Sequence, residues 1–152
     1  MRSGAGRGFL RFAIGAILLV SAGGKLLDIA GFAGVLKTYA AFPDAILLPL
    51  SLAIPLAELA LALWLFSGQF LAAAAAASVV MHFLYAAWSA ISVLRGLRLS
   101  NCGCFGVFWP RPLGWTTVLE DLVLMAASLA LAILARKRSS SPAGEGLGEG
   151  LA

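Results

Sequence analysis

The amino-acid sequence predicts an all-α fold, an integral membrane bundle of four transmembrane helices. The first observation is composition, because the chain is 61% hydrophobic and 12% charged, against roughly 45–50% and 25% in soluble domains. The second is that charged residues gather at the ends of long apolar runs and in the joints between them. A soluble domain needs polar residues to cover its outside, so we expect a lipid bilayer to surround this chain.

Four apolar runs predict the helices, because each is close to or above the roughly 20 residues that cross about 30 Å of hydrocarbon. They lie at residues 9–27, 45–66, 70–94 and 115–134. Together they form one transmembrane domain over residues 1–138. The tail, residues 139–152, is rich in Ser, Gly and Glu, and we expect it to be disordered because it has too few apolar residues to offset the entropy of ordering.

The first two runs contain residues that bear on their assignment. Arginines precede the first run and small residues follow at 21–23, so a cleavable secretory signal is the alternative to a helix that stays in the membrane. Pro49 and Pro55 interrupt the second run, and a bundle tolerates such kinks because neighbouring helices satisfy the freed backbone groups. Only residues 67–69 separate the second run from the third, which predicts an antiparallel helical hairpin.

The positive residues predict the orientation, since the cytoplasmic side of a membrane protein carries the excess of Lys and Arg. With four spans, both termini lie on the same side. The cations of that side are Arg2, Arg7, Arg11, Arg136, Lys137 and Arg138. The cations of the other side are Lys25, Lys37, Arg95, Arg98 and Arg111. We therefore expect a multi-pass protein of the cell's inner (plasma) membrane with both termini in the cytoplasm. Nucleic acid is not an expected partner, because no basic stripe is interleaved with aromatic residues.

The polar joint at 95–114 holds the chain's two cysteines, Cys102 and Cys104, with Gly103 between them. Cα atoms at this spacing reach the roughly 4.4–6.8 Å that a disulfide requires, and Gly103 permits the tight backbone angles of closure. So small a ring is strained, and a strained disulfide is more oxidising and more easily exchanged than a structural one. The predicted orientation places the loop outside the cytoplasm, where disulfides persist. We interpret the two cysteines as a working redox couple and as the candidate catalytic residues.

Three other interpretations of the cysteine pair are weaker. A disulfide that closes so short a loop removes little chain entropy, so it would stabilise a bundle poorly. A metal site needs more ligands than two thiolates, and the sole histidine, His82, falls in the third run, so no metal is expected. Unpaired thiols without a function are the remaining alternative.

Five ionisable residues fall inside the predicted spans: Lys25, Glu58, His82, Glu120 and Asp121. Each costs about 2.5–3.5 kcal/mol at the centre of a spanning helix, so each is expected to have a partner or a function. We predict that Lys25 pairs with Glu120 or Asp121 near the cysteine loop; the alternative is that Lys25 lowers the pKa of a thiol. We also predict a Glu58–His82 hydrogen bond, with a proton relay as the alternative role. Glu120 and Asp121 point about 100° apart on a helix, so one faces the interior and the other the interface.

Several segments of the chain resemble the MauE-like (methylamine utilisation) branch of the DoxX-type redox-associated membrane proteins. The matching segments are Ser21-Ala22-Gly23-Gly24-Lys25-Leu26-Leu27-Asp28 with Tyr39 and Pro43 downstream, Pro55-Leu56-Ala57-Glu58-Leu59, and Asn101-Cys102-Gly103-Cys104-Phe105-Gly106. The resemblance implies a four-helix membrane bundle that acts in thiol–disulfide chemistry with a thioredoxin-like partner, during maturation of disulfide-containing periplasmic enzymes. Two positions depart from the family pattern: Asn101 stands where an Asp is usual, and Glu120-Asp121 stands where an Arg-Asp or Arg-Asn pair is common.

The leading hypothesis from the sequence is a membrane thiol–disulfide oxidoreductase that uses Cys102 and Cys104, supported by Gly103 and the ionisable residues. One alternative is a non-catalytic membrane scaffold or small-molecule permease, in which Lys25, Glu58 and His82 matter more than the thiols. The other alternative is a DoxX-type quinone oxidoreductase subunit. Quinone is accordingly the candidate cofactor, since the sequence carries no motif for haem, flavin or nucleotide.

Overall fold

A computed structural model describes residues 2–139 of the chain, with side chains from residue 5 to residue 137. The described part consists of helices and the segments that join them. The helices are α1 (Arg2–Leu26), α2 (Ile29–Thr38), α3 (Asp44–Ser67), α4 (Leu71–Leu94) and α5 (Trp115–Ser139). The predicted all-α class is therefore confirmed. Ser139, the first residue of the predicted disordered tail, is the last residue of α5, and residues 140–152 lie outside the described part.

Four of the helices are long and apolar enough to cross a membrane, and each coincides with one predicted span. Their spanning segments are Ala5–Leu26, Asp44–Ser67, Leu71–Leu94 and Trp115–Lys137. Large apolar side chains cover their outer faces, among them Leu63, Val80 and Val123. Such a surface is stable against lipid and not against water. The chain is thus a multi-pass membrane protein.

Helix α2 is the element that the sequence analysis missed. It begins after Asp28, whose Oδ1 accepts a hydrogen bond of 2.7 Å from the backbone N–H of Gly31 and so caps the helix. Its apolar face buries Phe32 and Leu36. With ten residues it is too short to cross a bilayer. It packs mainly on α3, and Val35 and Tyr39 at its end lie beside Cys102 of the loop. The cap and the helical spacing of Phe32, Leu36 and Tyr39 were its signals in the sequence.

The bundle consists of two helix pairs, since α1 packs mainly on α3 and α4 mainly on α5. Leu18, Leu65, Ala74 and Leu131 meet in the main core, at the end of the bundle away from the cysteine loop. The predicted hairpin between α3 and α4 is present, and its turn uses Gly68 at a φ of 69°. Helices α3 and α4 contact each other less than the helices within either pair do, and residues of both line the cavity described below.

Candidate functional site: the cysteine turn and the cavity beneath it

Cys102 and Cys104 form a disulfide in a turn whose backbone is fixed independently of the sulfur atoms. Their Cα atoms are 5.5 Å apart. The side chain of Asn101 accepts a hydrogen bond from the N–H of Gly103 at 2.9 Å and donates one to the carbonyl of Gly106 at 3.0 Å. The N–H of Gly106 also donates to the carbonyl of Gly103 at 3.1 Å. None of these three hydrogen bonds involves a sulfur atom.

Side chains from the first half of the protein hold the two cysteines by their carbonyl groups. The Tyr39 hydroxyl donates to the carbonyl of Cys102 at 2.7 Å, and the Ser21 hydroxyl donates to the carbonyl of Cys104, also at 2.7 Å. On the other side, the N–H of Cys102 donates to the carbonyl of Arg111 at 2.7 Å. The turn is therefore fixed to α1, to the end of α2 and to the returning limb of its own loop.

Two glycines allow the loop to contact helix α1 backbone to backbone. A Cβ atom on Gly24 would overlap the carbonyl oxygen of Phe105, and a Cβ atom on Gly106 would overlap the carbonyl of Gly24. Gly106 also has a φ of 74°, a conformation that L residues rarely adopt. No larger residue fits at either position without a shift of the backbone. This contact brings the cysteine turn within reach of Ser21, one helical turn away on α1.

A buried ion pair lies directly beneath the cysteine turn. Lys25 Nζ is 2.6 Å from Glu58 Oε1, and the two residues are 3% and 0% exposed. The same carboxylate oxygen accepts a hydrogen bond from the Tyr85 hydroxyl at 2.7 Å. Lys25 Nζ also donates to the Ser21 hydroxyl at 2.7 Å, and the single proton of that hydroxyl goes to the carbonyl of Cys104. Ser21 thus connects the ion pair to the carbonyl of Cys104.

The predicted pairing of Lys25 with Glu120 or Asp121 is therefore wrong. Lys25 faces α3 because α1 packs mainly on that helix, and this places Glu58 opposite it. Glu120 instead pairs with Arg111 of the cysteine loop, at the half-exposed edge of the bundle. That hydrogen bond raises the pKa of Arg111. Asp121 is more buried than Glu120, and both carboxylates line the cavity described below.

The predicted hydrogen bond between Glu58 and His82 is also wrong. The Nδ1 atom of His82 is 2.8 Å from the carbonyl oxygen of Ser78, one turn earlier in the same helix. A carbonyl only accepts, so Nδ1 carries the proton and donates it. The Ser78 hydroxyl in turn meets that of Ser128 in α5 at 2.9 Å. A carbonyl of its own helix therefore satisfies the Nδ1 atom of His82.

All of the site residues predicted from the sequence line one cavity of about 360 Å³. These are Lys25, Glu58, His82, Cys102, Gly103, Cys104, Glu120 and Asp121. The wall is otherwise mainly apolar. On one side the rings of Phe42 and Trp88 are stacked, with 5.2 Å between their centroids. Within the described residues, no group of three or more His, Cys, Asp or Glu is arranged to hold a metal ion.

The cavity wall contains six aromatic residues that were not predicted as site residues: Phe32, Tyr39, Phe42, Tyr85, Trp88 and Phe105. Tyr85 and Trp88 follow His82 at helical spacing, so a polar and aromatic face of α4 was their signal in the sequence. Burial, and after it the negative charge of Asp121, raises the pKa of Tyr39 to about 12. Tyr39 therefore keeps its proton at neutral pH and remains a donor to Cys102.

Comparison with known proteins identifies the family. The family model described as methylamine utilisation protein MauE matches residues 6–135. The methylamine utilization protein MauE of Paracoccus denitrificans is 34% identical over 123 residues, which cover 81% of this chain and 66% of that protein. The MauE protein of Paracoccus versutus is 31% identical over 125 residues, covering 82% and 67%. The chain spans about two thirds of the length of these curated relatives, and no solved structure matches it significantly. The sequence match, the four spanning helices and the cysteine turn agree, and the chain belongs to the MauE family of membrane proteins.

Proposed function

We propose that this protein is a membrane thiol–disulfide redox protein that acts through Cys102 and Cys104. The observation that carries the proposal is the seating of the disulfide. Its turn is held by Asn101, Tyr39 and Ser21 through backbone groups, so these contacts do not engage the sulfur atoms. A purely structural disulfide would be redundant in a turn already fixed by hydrogen bonds.

The reaction is a two-step exchange with a dithiol partner. A thiolate of the partner attacks one sulfur of the disulfide, and the other cysteine leaves as a thiolate. The second partner thiolate then attacks the mixed disulfide, so the partner becomes a disulfide and the pair becomes a dithiol, which gains two electrons and two protons. The reverse sequence oxidises this chain. The thiolates form in the electrostatic field of the buried Lys25–Glu58 pair, which Ser21 connects to Cys104.

The partner and the location follow from the same chemistry. We propose an inner-membrane protein with the cysteine loop outside the cytoplasm and a thioredoxin-like partner, because such partners present a reactive dithiol to a membrane-bound one. The relatives are named for methylamine utilisation. We propose that this chain serves the same process, by supporting the maturation of a disulfide-containing protein.

The proposal predicts that Cys102→Ser and Cys104→Ser each abolish function while the protein still inserts in the membrane. The chain replaces MauE in a methylamine-utilising host, and growth on methylamine is measured together with mixed disulfides trapped by acid quenching. Ser100→Ala, an exposed change in the same loop, is the matched control and is expected to support growth. Full growth of both cysteine variants, with no trapped mixed disulfide, would favour the alternative of a scaffold or small-molecule permease.

We also propose that the cavity binds a quinone as a cofactor. Its volume of about 360 Å³ suits a single ring, and the stacked Phe42 and Trp88 offer a flat apolar wall. Lys25 donates to Ser21 and Glu58, which leaves its third N–H for a carbonyl oxygen. Leu84 lines the cavity and is also exposed on the outer face of α4, so a ligand dissolved in lipid has an entrance. A bound quinone would supply a two-electron acceptor for the dithiol.

If the cavity is a quinone site, a short-chain ubiquinone is expected to bind directly to the purified protein in detergent. Binding is measured by quenching of tryptophan fluorescence. Trp88→Leu is expected to weaken the affinity roughly 5- to 150-fold, since stacking on an aromatic ring contributes about 1–3 kcal/mol. Trp64, at the opposite end of the bundle and outside the cavity lining, is the control, and Trp64→Leu is expected to leave the affinity unchanged. Equal affinities of both variants would contradict this site.

A further inference from the structure

The two sulfur atoms of the disulfide have different surroundings. Cys102 is 9% exposed and belongs to a buried cluster with Tyr39 and Leu113. Cys104 is more exposed and packs only at the margin of this cluster. The disulfide is thus covered on one side and accessible on the other.

This asymmetry restricts the path of an attacking thiolate. Exchange depends on which sulfur is attacked and on access to it, and the attacking, central and leaving sulfur atoms lie nearly in a line. A thiolate that attacks Cys102 would have to approach through Tyr39 and Leu113. A thiolate that attacks Cys104 approaches from the accessible side, and Cys102 is then the leaving group.

A hydrogen bond also prepares Cys102 to leave. The N–H of Cys104 lies 3.3 Å from the Sγ atom of Cys102 and donates to it. Hydrogen bonds to an ionised acceptor are stronger than those to a neutral one, so this bond strengthens as negative charge develops on Cys102. Among the hydrogen bonds of the described residues, none is donated to the Sγ atom of Cys104.

We infer that exchange at this disulfide is directional: the incoming thiolate bonds to Cys104, and Cys102 is released as the thiolate. The inference rests on the exchange proposed above and assigns a distinct role to each cysteine. In the step, the Cys102–Cys104 bond breaks, a bond between the partner sulfur and Cys104 forms, and the electron pair of the broken bond stays on Cys102. When the chain returns to the disulfide, the thiolate of Cys102 attacks Cys104 and displaces the partner.

Reduced glutathione tests the inference on the oxidised full-length protein in detergent. After a short reaction the mixture is quenched with acid and alkylated, and mass spectrometry locates the glutathione. We expect at least tenfold more glutathione on Cys104 than on Cys102. An excess on Cys102 would overturn the direction. An intact disulfide at all glutathione concentrations, in protein that still unfolds cooperatively, would instead contradict the exchange chemistry itself.

Leu113 provides a test of the physical cause. Leu113→Ala removes part of the cover over Cys102, so the share of glutathione on Cys102 is expected to rise several-fold. Leu119→Ala, a change on the outer face of α5, is the matched control and is expected to leave the distribution unchanged. A Leu113→Ala protein that keeps the wild-type distribution would show that shielding does not set the direction, which would overturn this part of the inference.

Discussion

Replacing Lys25 by methionine is expected to lower the free energy of unfolding by about 3–5 kcal/mol, the cost of leaving a buried charge without its partner. Glu58 is completely buried, and its Oε1 atom receives the ammonium of Lys25 at 2.6 Å. The hydrogen bond from Tyr85 remains in the variant, but it does not neutralise the carboxylate. The measurement is unfolding of the purified protein by sodium dodecyl sulfate in mixed micelles.

Two further variants separate the charge effect from the loss of packing. Adding Glu58→Gln to Lys25→Met removes the orphaned charge and is expected to restore most of the lost stability. Lys37→Met breaks the ion pair with Asp44, whose side chains are 64% and 73% exposed, and is expected to cost less than about 1 kcal/mol. If Lys25→Met cost no more than Lys37→Met, the buried ion pair would not exist as described.

Gly24→Ala is expected to separate the cysteine loop from helix α1 and to cost about 1–3 kcal/mol, the usual penalty for adding a methyl group to a filled space. The added Cβ atom would overlap the carbonyl oxygen of Phe105, a backbone atom that cannot rotate away. The loop must then move, and the hydrogen bond from Ser21 to Cys104 breaks with it. The expected result is lower stability together with faster hydrogen exchange in the loop.

Gly23→Ala is the matched control, because a Cβ atom on Gly23 meets nothing within 4 Å. In the interior of a helix, alanine is more favourable than glycine by roughly 0.5–1 kcal/mol, so this neighbouring change is expected to stabilise the protein slightly. If Gly24→Ala lowers the free energy of unfolding and Gly23→Ala raises it, the difference arises from the contact with the loop, because both positions lie in the same helix. Equal effects at the two positions would exclude the close approach of the loop.

The membrane spans were predictable because their signal is local. Each spanning segment has its length and apolar composition in consecutive residues, and the bilayer sets the length that is needed. The short helix α2 was missed because its ten residues lie below that length. Its cap at Asp28 and its buried face are weak signals beside four long apolar runs.

The site residues were predictable as a set, but their pairing was not. Charged side chains inside a membrane must find partners, so Lys25 and Glu58 could be selected from the sequence alone. Which residues meet depends on which helices pack, and the contact of α1 with α3 determines that Glu58 is the partner of Lys25. His82 shows the opposite case, since a carbonyl of its own helix satisfies the ring.

Alkylation of Cys102 and Cys104 from each side of intact membranes reports the oxidation state of the pair and the location of the loop in one experiment. A charged maleimide that does not cross the membrane is applied from outside or from inside, before and after mild reduction. We expect no labelling of either cysteine before reduction, and labelling only from outside after it. Labelling of both cysteines from the cytoplasmic side as free thiols, without reductant, would contradict the redox mechanism and the orientation at once.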